Sequence, residues 1–393
     1  MATRRSRFHF VSDPWLSMGF EHAHRPTDGP CGSHRTEHPL QRSCQRQLPR
    51  RHLPLGARTM LAWALLAATT ASARAPSTWT LVSENDSPWS LLWNKPYRDE
   101  YYTNGIRVSR SQWIAGHTER GLGRAAQAAA SVLPVGTADV VRLGAAQTMY
   151  TPMELWEPTP PPTVHPYAGH LHLTAGFGAV RDGWRTSVEF LGGWTGPKAY
   201  GEPAQKLVHD LFHGTPPEGW DHQVAFEPTF GLSLGLAAGD LVRASRSGLE
   251  VRLVPAALAV ASTTDVAAEL GGLMGLGTAG DVPAMRPEEA RFGHSGIDGY
   301  YRGDTTVGFA VYGFAEVRAV AHDMFVSGGT FTEVPAPESE ATISEAGIGA
   351  TLRLWKTRII MANNLQSVLY TTQAHRHVYG TISIAQDLGP RPQ

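Results

Sequence analysis

The sequence predicts an all-β protein, and more specifically a transmembrane antiparallel β-barrel, from three observations. Apolar and polar residues alternate in segments of about ten residues, a short apolar segment with an A-x-A site precedes these segments, and no cysteine follows it. The composition agrees, with 18% charged residues and 41 glycines, which is less charge and more glycine than in an ordinary globular domain. No apolar run is long enough to cross a bilayer as a helix.

Alternation is clearest in four segments. In "GIRVS", Ile106 and Val108 share one face while Arg107 and Ser109 share the other. The same pattern recurs in "HLHLTAGF", "TVGFAVYGFAEVR" and "TLRLWK", and near 140–150, 184–195, 222–238, 249–262, 265–277, 342–350, 357–372 and 377–387. Such period-2 segments between polar or Gly/Pro turns are typical of an antiparallel barrel. A soluble β-sandwich would alternate in the same way, so the other two observations and the Trp and Tyr residues near strand ends favour the outer-membrane barrel.

The N-terminal part of the chain differs from the rest. Residues 1–59 are rich in Arg, contain no Lys and show no apolar periodicity, so we interpret them as a disordered leader or as sequence upstream of the true start. "MLAWALLAATTASARA", from Met60, has the apolar core and small-residue cleavage site of a secretory signal peptide. We therefore predict a signal peptide at 60–75, a mature domain at 76–393 and a location in the bacterial outer membrane.

Both cysteines, Cys31 and Cys44, lie in the leader. The mature domain therefore offers neither a disulfide framework nor a cysteine metal site. Without the Arg-rich leader the chain is mildly acidic, which argues against nucleic acid as a partner.

One segment breaks the run of strands. "GEPAQKLVHDLFHG" predicts a short helix, with Pro203 near its first turn and Gly214 after its last. Gln205 and His209 lie four residues apart and share one helical face. The expected apolar anchors of this helix are Leu207, Val208, Leu211 and Phe212. A single helix among strands is expected in a loop at one rim of the barrel.

Several polar groups could carry chemistry, and each has a simpler structural interpretation. His209 could be a base oriented by Gln205, but a random His is more often a surface or packing residue. Asn85 and Asp86 offer oxygen ligands that suit a hard cation such as calcium, or they could form a turn or cap. Thr103, in the sequence Thr-Asn-Gly, would on local grounds belong to a turn that leads into a strand. The chain has no G-x-S-x-G elbow, H-E-x-x-H motif or phosphate loop.

Taken together, the motifs of the mature domain resemble those of a known family, the outer-membrane lipid A 3'-O-deacylases, or LpxR-like proteins. The matching segments occur in order: "END" at 84–86, "YYTNGIRVS" at 101–109, "YTP" at 150–152, "PYAG" at 166–169, "GEPAQKLVH" at 201–209, "GWDHQVAFEP" at 219–228 and "HDMFVSGGTF" at 322–331. They cover most of the mature domain. None lies upstream of Met60, which agrees with a start there.

The resemblance implies a twelve-stranded barrel whose site lies between the barrel wall and a short helix on the outer rim. It implies calcium-dependent removal of the 3'-linked acyloxyacyl group of lipid A. By motif, His209 corresponds to the base that activates water and Gln205 to its assistant, while Thr103 lies on the wall side. The metal ligands implied are Asp86, Asn85 and, from a looser alignment, Glu218.

The resemblance also sets the expected partners, which are lipid A or lipopolysaccharide and the outer membrane, with the protein acting as a monomer. Two departures concern the substrate headgroup: no basic residue matches the one expected before "PYAG", and "VHPYAG" replaces the commoner "DRPYAG". Two rivals remain at this stage. One is a non-enzymatic barrel, either a porin or a lipid-binding relative, and the other is an outer-membrane phospholipase, which would need a Ser nucleophile motif that is not evident.

Overall fold

The computed structural model describes residues 76–86, 99–114, 121–132, 137–212, 214–238, 242–294, 306–332 and 334–389. The predicted leader and signal peptide lie outside the described residues. The structure has thirteen strands: β1 Ser77–Asn85, β2 Tyr101–Trp113, β3 Val140–Thr151, β4 Ala168–Arg181, β5 Trp184–Thr195, β6 Pro228–Ala238, β7 Val242–Arg246, β8 Leu249–Ser262, β9 Asp265–Thr278, β10 Val307–Asp323, β11 Thr342–Leu354, β12 Thr357–Gln366 and β13 His377–Leu388. The helices are α1 Leu122–Val132, α2 Gly201–Phe212 and α3 Met324–Ser327.

Twelve of the strands form a closed antiparallel barrel. Neighbours in sequence pair with one another, β1 pairs with β13, and β6 pairs with β8 to complete the ring. The short β7 pairs only with the far end of β8, so it extends the wall as an extra strand. Closure leaves the ring without the unpaired strand edges that invite aggregation. The predicted transmembrane barrel of about twelve strands is therefore confirmed.

The direction of the side chains distinguishes this barrel from a soluble sandwich. Apolar residues of the strands point outward, as with Ile106 at 43%, Leu270 at 70% and Ile348 at 67% exposure, whereas Arg107 and Glu345 point inward and are buried. A soluble sandwich would bury the apolar set. An outward apolar band with a polar interior is the pattern of a barrel surrounded by lipid.

The barrel interior is filled by the segment that follows β9. Its residues contact strands on opposite sides of the ring: Glu288 pairs with Arg142 of β3, and Arg286 pairs with Glu316 of β10, six positions away around the twelve strands. The backbone N–H of Ala290 donates to Glu84 of β1 at 2.9 Å. A segment that touches opposite walls of a closed ring must lie within it, so we refer to Asp281–His294 as the lumen segment.

Some local predictions from sequence are wrong. Strand β1 was not predicted, and the Thr103-Asn104-Gly105 sequence lies inside β2 instead of forming a turn. The stretches predicted near 222–238 and 357–372 are strands only over Pro228–Ala238 and Thr357–Gln366. Helix α1 was also missed; its sequence "LGRAAQAAASV" is rich in Ala, the residue with the highest intrinsic helix propensity.

Among the described residues, no helix combines the length and the apolar character needed to cross a bilayer.

Candidate active site

The sequence-predicted site residues lie at one end of the barrel. Ser77 of β1 pairs with Leu388 of β13 at the opposite end, which we call the terminal rim, whereas Asn85 of β1 lies at the end that we call the site rim. Five long connections, 86–100, 152–167, 196–227, 324–341 and 367–376, lie at the site rim, whereas 114–139 and 279–306 lie at the terminal rim. The fold therefore brings residues that are distant in sequence to one edge of the wall.

Helix α2 lies against the wall at this rim because two glycines allow close approach. A methyl group on Gly201 would lie 2.6 Å from the ring of Trp220, and one on Gly169 of β4 would lie 3.2 Å from the backbone nitrogen of Gly201. Trp220 in turn packs on Tyr167, with ring centroids 5.0 Å apart. The side-chain amide of Gln147 of β3 donates to the carbonyl of Ala199, just before the helix. These contacts fix the position of the helix on the barrel.

The apolar residues predicted to anchor the helix do not do so. Leu207 is 49% exposed, Leu211 is 64% exposed, and Val208 is exposed as well. The side chain of Phe212 lies outside the described part of the chain. The helix instead buries Gln205 and His209 toward the barrel, because small residues and Trp220 form the contact with the wall.

The helix face predicted to carry chemistry meets a carboxylate that was not predicted. Asp99, at the end of the β1–β2 connection, accepts hydrogen bonds on the same Oδ2 atom from His209 Nε2 at 2.7 Å and from Gln205 Nε2 at 2.6 Å. Gln205 Oε1 accepts a hydrogen bond from the indole N–H of Trp220 at 2.8 Å. Since Trp220 can only donate, it fixes the orientation of the Gln205 amide. Gln205 therefore orients Asp99, and among the described residues no hydrogen bond joins its amide directly to His209.

Both ring nitrogens of His209 are engaged. Nδ1 faces the carbonyl oxygen of Thr215 at 2.5 Å, and because a carbonyl can only accept, Nδ1 carries a proton. Nε2 faces Asp99, so one proton lies between these two atoms. The hydrogen bond to Asp99 raises the pKa of His209 above its ordinary value, against the lowering effect of burial. A methyl group on Gly214 would lie 2.9 Å from the imidazole, so the predicted helix stop also gives the ring its space.

The wall side of the site is shaped by a β-bulge. The register of β2 against β3 shifts between Tyr102 and Asn104, which makes Thr103 the extra residue. Bulges redirect side chains and are frequent beside active sites. Thr103 is buried and its hydroxyl lies 2.7 Å from the hydroxyl of Thr151 at the end of β3.

Asn85 and Asp86 are held by the same segment that carries Asp99. The carbonyl of Thr103 accepts hydrogen bonds from the Asn85 amide at 3.1 Å and from the Asp86 N–H at 3.3 Å. Asp86 Oδ2 accepts the backbone N–H of Glu100, the residue after Asp99, at 2.6 Å. The wall-side residues and the helix residues thus meet across Asp99–Thr103.

Glu218 is not brought into this arrangement. It lies exposed in the loop after the helix, and its backbone N–H donates to the carbonyl of Leu155 at 2.8 Å. Within the described part of the chain its carboxylate makes no hydrogen bond to Asn85, Asp86 or the helix. The role of Glu218 as a third metal ligand therefore stays a prediction, and the geometry does not support it.

The groups at Asn85, Asp86 and Thr103 suit a hard cation. These residues offer carboxylate, amide, hydroxyl and backbone carbonyl oxygens, and calcium prefers oxygen ligands of these kinds. The donor set is therefore compatible with calcium, and Asp86 and Asn85 are the residues that would hold it.

Sequence reasoning missed three contributors: Asp99, Trp220 and the carbonyl of Thr215. A backbone carbonyl has no sequence signal, and the local sequence around Trp220 does not indicate its hydrogen bond to Gln205. Asp99 had a usable signal, because it is an acidic residue two positions before a strand that was expected to line the site.

A second carboxylate stabilises the loops of the site rim. Glu227 accepts the backbone N–H groups of Thr330, Phe331 and Thr332 at 2.9 to 3.2 Å, and the hydroxyl of Thr332 at 2.6 Å. Burial raises its pKa, but these hydrogen bonds outweigh burial and the net pKa is lowered. The segments "GWDHQVAFEP" and "HDMFVSGGTF" are thereby joined, which gives their joint occurrence a structural reason.

Comparisons with known proteins agree with this architecture. A family model described as "LpxR: Outer membrane protein LpxR" matches residues 58–388. The solved structure of LpxR from Salmonella typhimurium has a TM-score of 0.63 at 17% identity, over 79% of this chain and 99% of that chain, a likeness that shows the fold. The β domain of the Bordetella autotransporter Brka has a TM-score of 0.33 at 10% identity over 80% of this chain and 99% of that chain, too low to indicate the same fold. No curated protein sequence matches the chain.

Proposed function

Because the chain belongs to the LpxR family of outer-membrane proteins, we propose that it is a lipid A 3'-O-deacylase, which hydrolyses the 3'-linked acyloxyacyl ester of lipid A. The observation that carries the proposal is the buried pair of His209 and Asp99, oriented by Gln205 and placed beside Asn85 and Asp86. Metal-assisted ester hydrolysis requires a general base next to a bound cation.

The position of the site supports a substrate in the outer leaflet. Most long connections of the barrel lie at the site rim, as they do on the extracellular side of outer-membrane barrels. Lipid A occupies that leaflet, and its ester linkages lie near the headgroup boundary. The exposed Leu207 and Leu211 of α2 would face acyl chains there.

The base is best assigned to the His209–Asp99 pair as a unit. One proton lies between Nε2 and Oδ2, so the two side chains share it. In the form that has lost this proton, the pair accepts a proton from the attacking water, while Thr215 holds Nδ1–H in place. Gln205 and Trp220 keep Asp99 in position throughout.

Asn85 and Asp86 would hold calcium on the wall side, close to the backbone of Thr103. When bound, the ion would polarise the ester carbonyl and stabilise negative charge on its oxygen. Thr103, whose hydroxyl contacts that of Thr151, would orient substrate or water on the same side. No Ser nucleophile is needed in this scheme.

The rival functions fit less well. The lumen segment and its ion pairs occupy the barrel interior, which disfavours a porin. A lipid-binding relative without activity would not need Asp99 and His209 to be held by Gln205 and Trp220. A phospholipase would need a different nucleophile.

Mass spectrometry of lipid A tests the proposal. Purified protein mixed with hexa-acylated lipid A and calcium should release the 3' acyloxyacyl group, and lipid A from cells that carry the gene should show the same loss. His209→Ala should stop the reaction, whereas His222→Ala, which changes an exposed imidazole of the same loop, should not. Activity that survives both His209→Ala and chelation would refute the assignment, and a lysophospholipid product would favour the phospholipase.

A further inference from the structure

The interior of the barrel contains a second cluster of charged and titratable side chains. None of these residues belongs to the candidate active site. Four buried or nearly buried carboxylates gather there, with two guanidinium groups and one imidazole. They are Glu269 of β9, Glu316 of β10, Glu345 of β11, and Glu289, Arg286, Arg291 and His294 of the lumen segment.

The charges of this cluster do not balance. Arg286 pairs with Glu289, Glu316 and Glu345, and Arg291 pairs with Glu289 and Glu345. The nearby Arg318 is engaged by Asp265. With every carboxylate ionised and the imidazole neutral, two negative charges exceed the positive ones. Buried charges are normally paired or bound to a metal, so the excess matches a divalent cation.

His294 provides independent support for a ligand-binding site. The residue is only 8% exposed, and among the described residues its Nε2 atom has no hydrogen-bond partner. Nε2 lies 3.9 Å from Glu269 Oε2, beyond hydrogen-bond range. The backbone bond from Glu289 N–H to the His294 carbonyl, at 2.9 Å, fixes the residue in a tight turn. A buried imidazole nitrogen thus faces carboxylates without bonding to any of them.

The geometry of the three facing side chains suits a metal ion. One ligand atom each from Glu269, His294 and Glu316 lies within 4.8 Å of the others. The three residues line a cavity of about 70 Å³, which leaves room for an ion and for water as a further ligand. Ligands of a tetrahedral ion with bonds of about 2.1 Å lie roughly 3.4 Å apart. Rotation of the glutamate side chains would close the remaining difference.

We propose that Glu269, His294 and Glu316 form a binding site for a divalent transition-metal ion, with zinc as the best match. One imidazole nitrogen and two carboxylate oxygens are a donor set that zinc accepts. Calcium, with its preference for oxygen ligands, fits Asn85 and Asp86 better than this site. The ion would join β9, β10 and the lumen segment, and so fix the segment inside the barrel.

Metal analysis of the whole purified protein tests this site. The protein is expressed without a polyhistidine tag, stripped with a chelator, mixed with equimolar zinc in the presence of excess calcium and dialysed. Elemental analysis should find about one zinc per chain, and His294→Gln should weaken zinc binding at least tenfold. Glu269→Gln, which changes a different ligand, should weaken zinc binding in the same direction.

Matched variants separate this site from other histidines and from the active site. His172→Gln changes another buried imidazole, on β4, whose ring nitrogens also lack hydrogen-bond partners among the described residues; it should keep the zinc. Asp86→Asn should keep the zinc as well, whatever its effect on lipid A hydrolysis. Far-UV circular dichroism verifies that each variant retains the barrel. Absence of zinc from the wild type, or equal zinc in wild type and folded His294→Gln and Glu269→Gln, would overturn the proposal.

Discussion

The site rim and the lumen use charged side chains in opposite ways. In the lumen, carboxylates pair with guanidinium groups on strands and on the lumen segment, as Glu288 does with Arg107 and Arg142. At the site rim, the carboxylate of Asp99 meets an imidazole whose charge depends on pH, together with a neutral amide. Pairing with a permanent cation stabilises a fold, whereas pairing with an imidazole leaves a proton that can be moved.

Buried polar groups that take part in chemistry differ in their partners from buried polar groups that stabilise the fold. Burial alone does not distinguish them, because Glu288 and Asp99 are both buried. The partner does: Glu288 is bound by two guanidinium groups that stay protonated, and Asp99 by a histidine on a helix at the rim. The two regions should therefore respond differently to equivalent mutations.

The largest expected effect is on activity, from Asp99→Asn. An amide in place of the carboxylate keeps the size but cannot share a proton with His209 in the same way, so we expect the deacylation rate to fall about 10²–10⁴-fold. Rates on lipid A, measured by mass spectrometry, provide the comparison. Asp210→Asn, which changes an exposed acid on the same helix, should stay within about twofold. An Asp99→Asn enzyme of normal activity would exclude the pair as the base.

Glu288→Gln should produce the corresponding effect on stability. It leaves Arg107 and Arg142 buried with fewer negative partners, a change that typically costs about 3–5 kcal/mol. Denaturant unfolding in detergent should show this loss, while the rate per folded molecule changes little because the residue lies away from the site rim. Glu338→Gln, at an exposed position, should alter stability by less than about 0.5 kcal/mol. Unchanged stability in Glu288→Gln would mean that lumen pairing does not hold the fold.

Trp220→Phe should have a smaller effect on activity. The phenyl ring keeps much of the packing on Tyr167 and Gly201, but Gln205 loses its hydrogen bond from the indole. A hydrogen bond of this kind contributes about 0.5–1.5 kcal/mol, so we expect a loss of roughly two- to tenfold in kcat with the fold intact. Trp156→Phe, on an exposed loop tryptophan, is the control. Equal rates in both variants would show that the amide needs no orientation.

The sequence predicted the barrel well because alternation is a local signal. A residue's face in a strand follows from its position alone, so Ile106 and Arg107 could be placed on opposite faces before the structure was known. The polar character of the inward face, which separates this barrel from a sandwich, required knowing which side was buried. Helix α2 was predicted for a similar reason, since its start, stop and Gln205–His209 spacing are local.

The contacts that complete the site are not local, and the sequence could not specify them. Asp99 meets His209 across more than a hundred residues of chain, through closure of the ring and docking of α2. The bulge at Thr103 depends on pairing with β3, which one strand's sequence does not encode. Leu207 and Leu211 were predicted to be buried because apolar residues of a soluble helix usually are, a rule that does not hold where a helix lies beside lipid.

The smallest expected effect is a change in the pKa of His209. It tests most directly whether the site rim and the lumen use charged side chains differently. Its hydrogen bond to Asp99 raises that pKa above the ordinary value near 6.5. A raised pKa means that the folded protein binds the proton more tightly than the unfolded chain. The resulting stability is fully present below the unfolded pKa and is lost as pH rises through the folded pKa.

NMR titration, with the His209 signal assigned by comparison with His209→Gln, should show a lower pKa in Asp99→Asn than in the wild type. The wild type should exceed Asp99→Asn in stability mainly at acidic pH, and its deacylation rate should rise with pH through the raised pKa. An unshifted His209 signal in Asp99→Asn would mean that the pair does not share a proton, and the rim would then resemble the lumen in its use of charge.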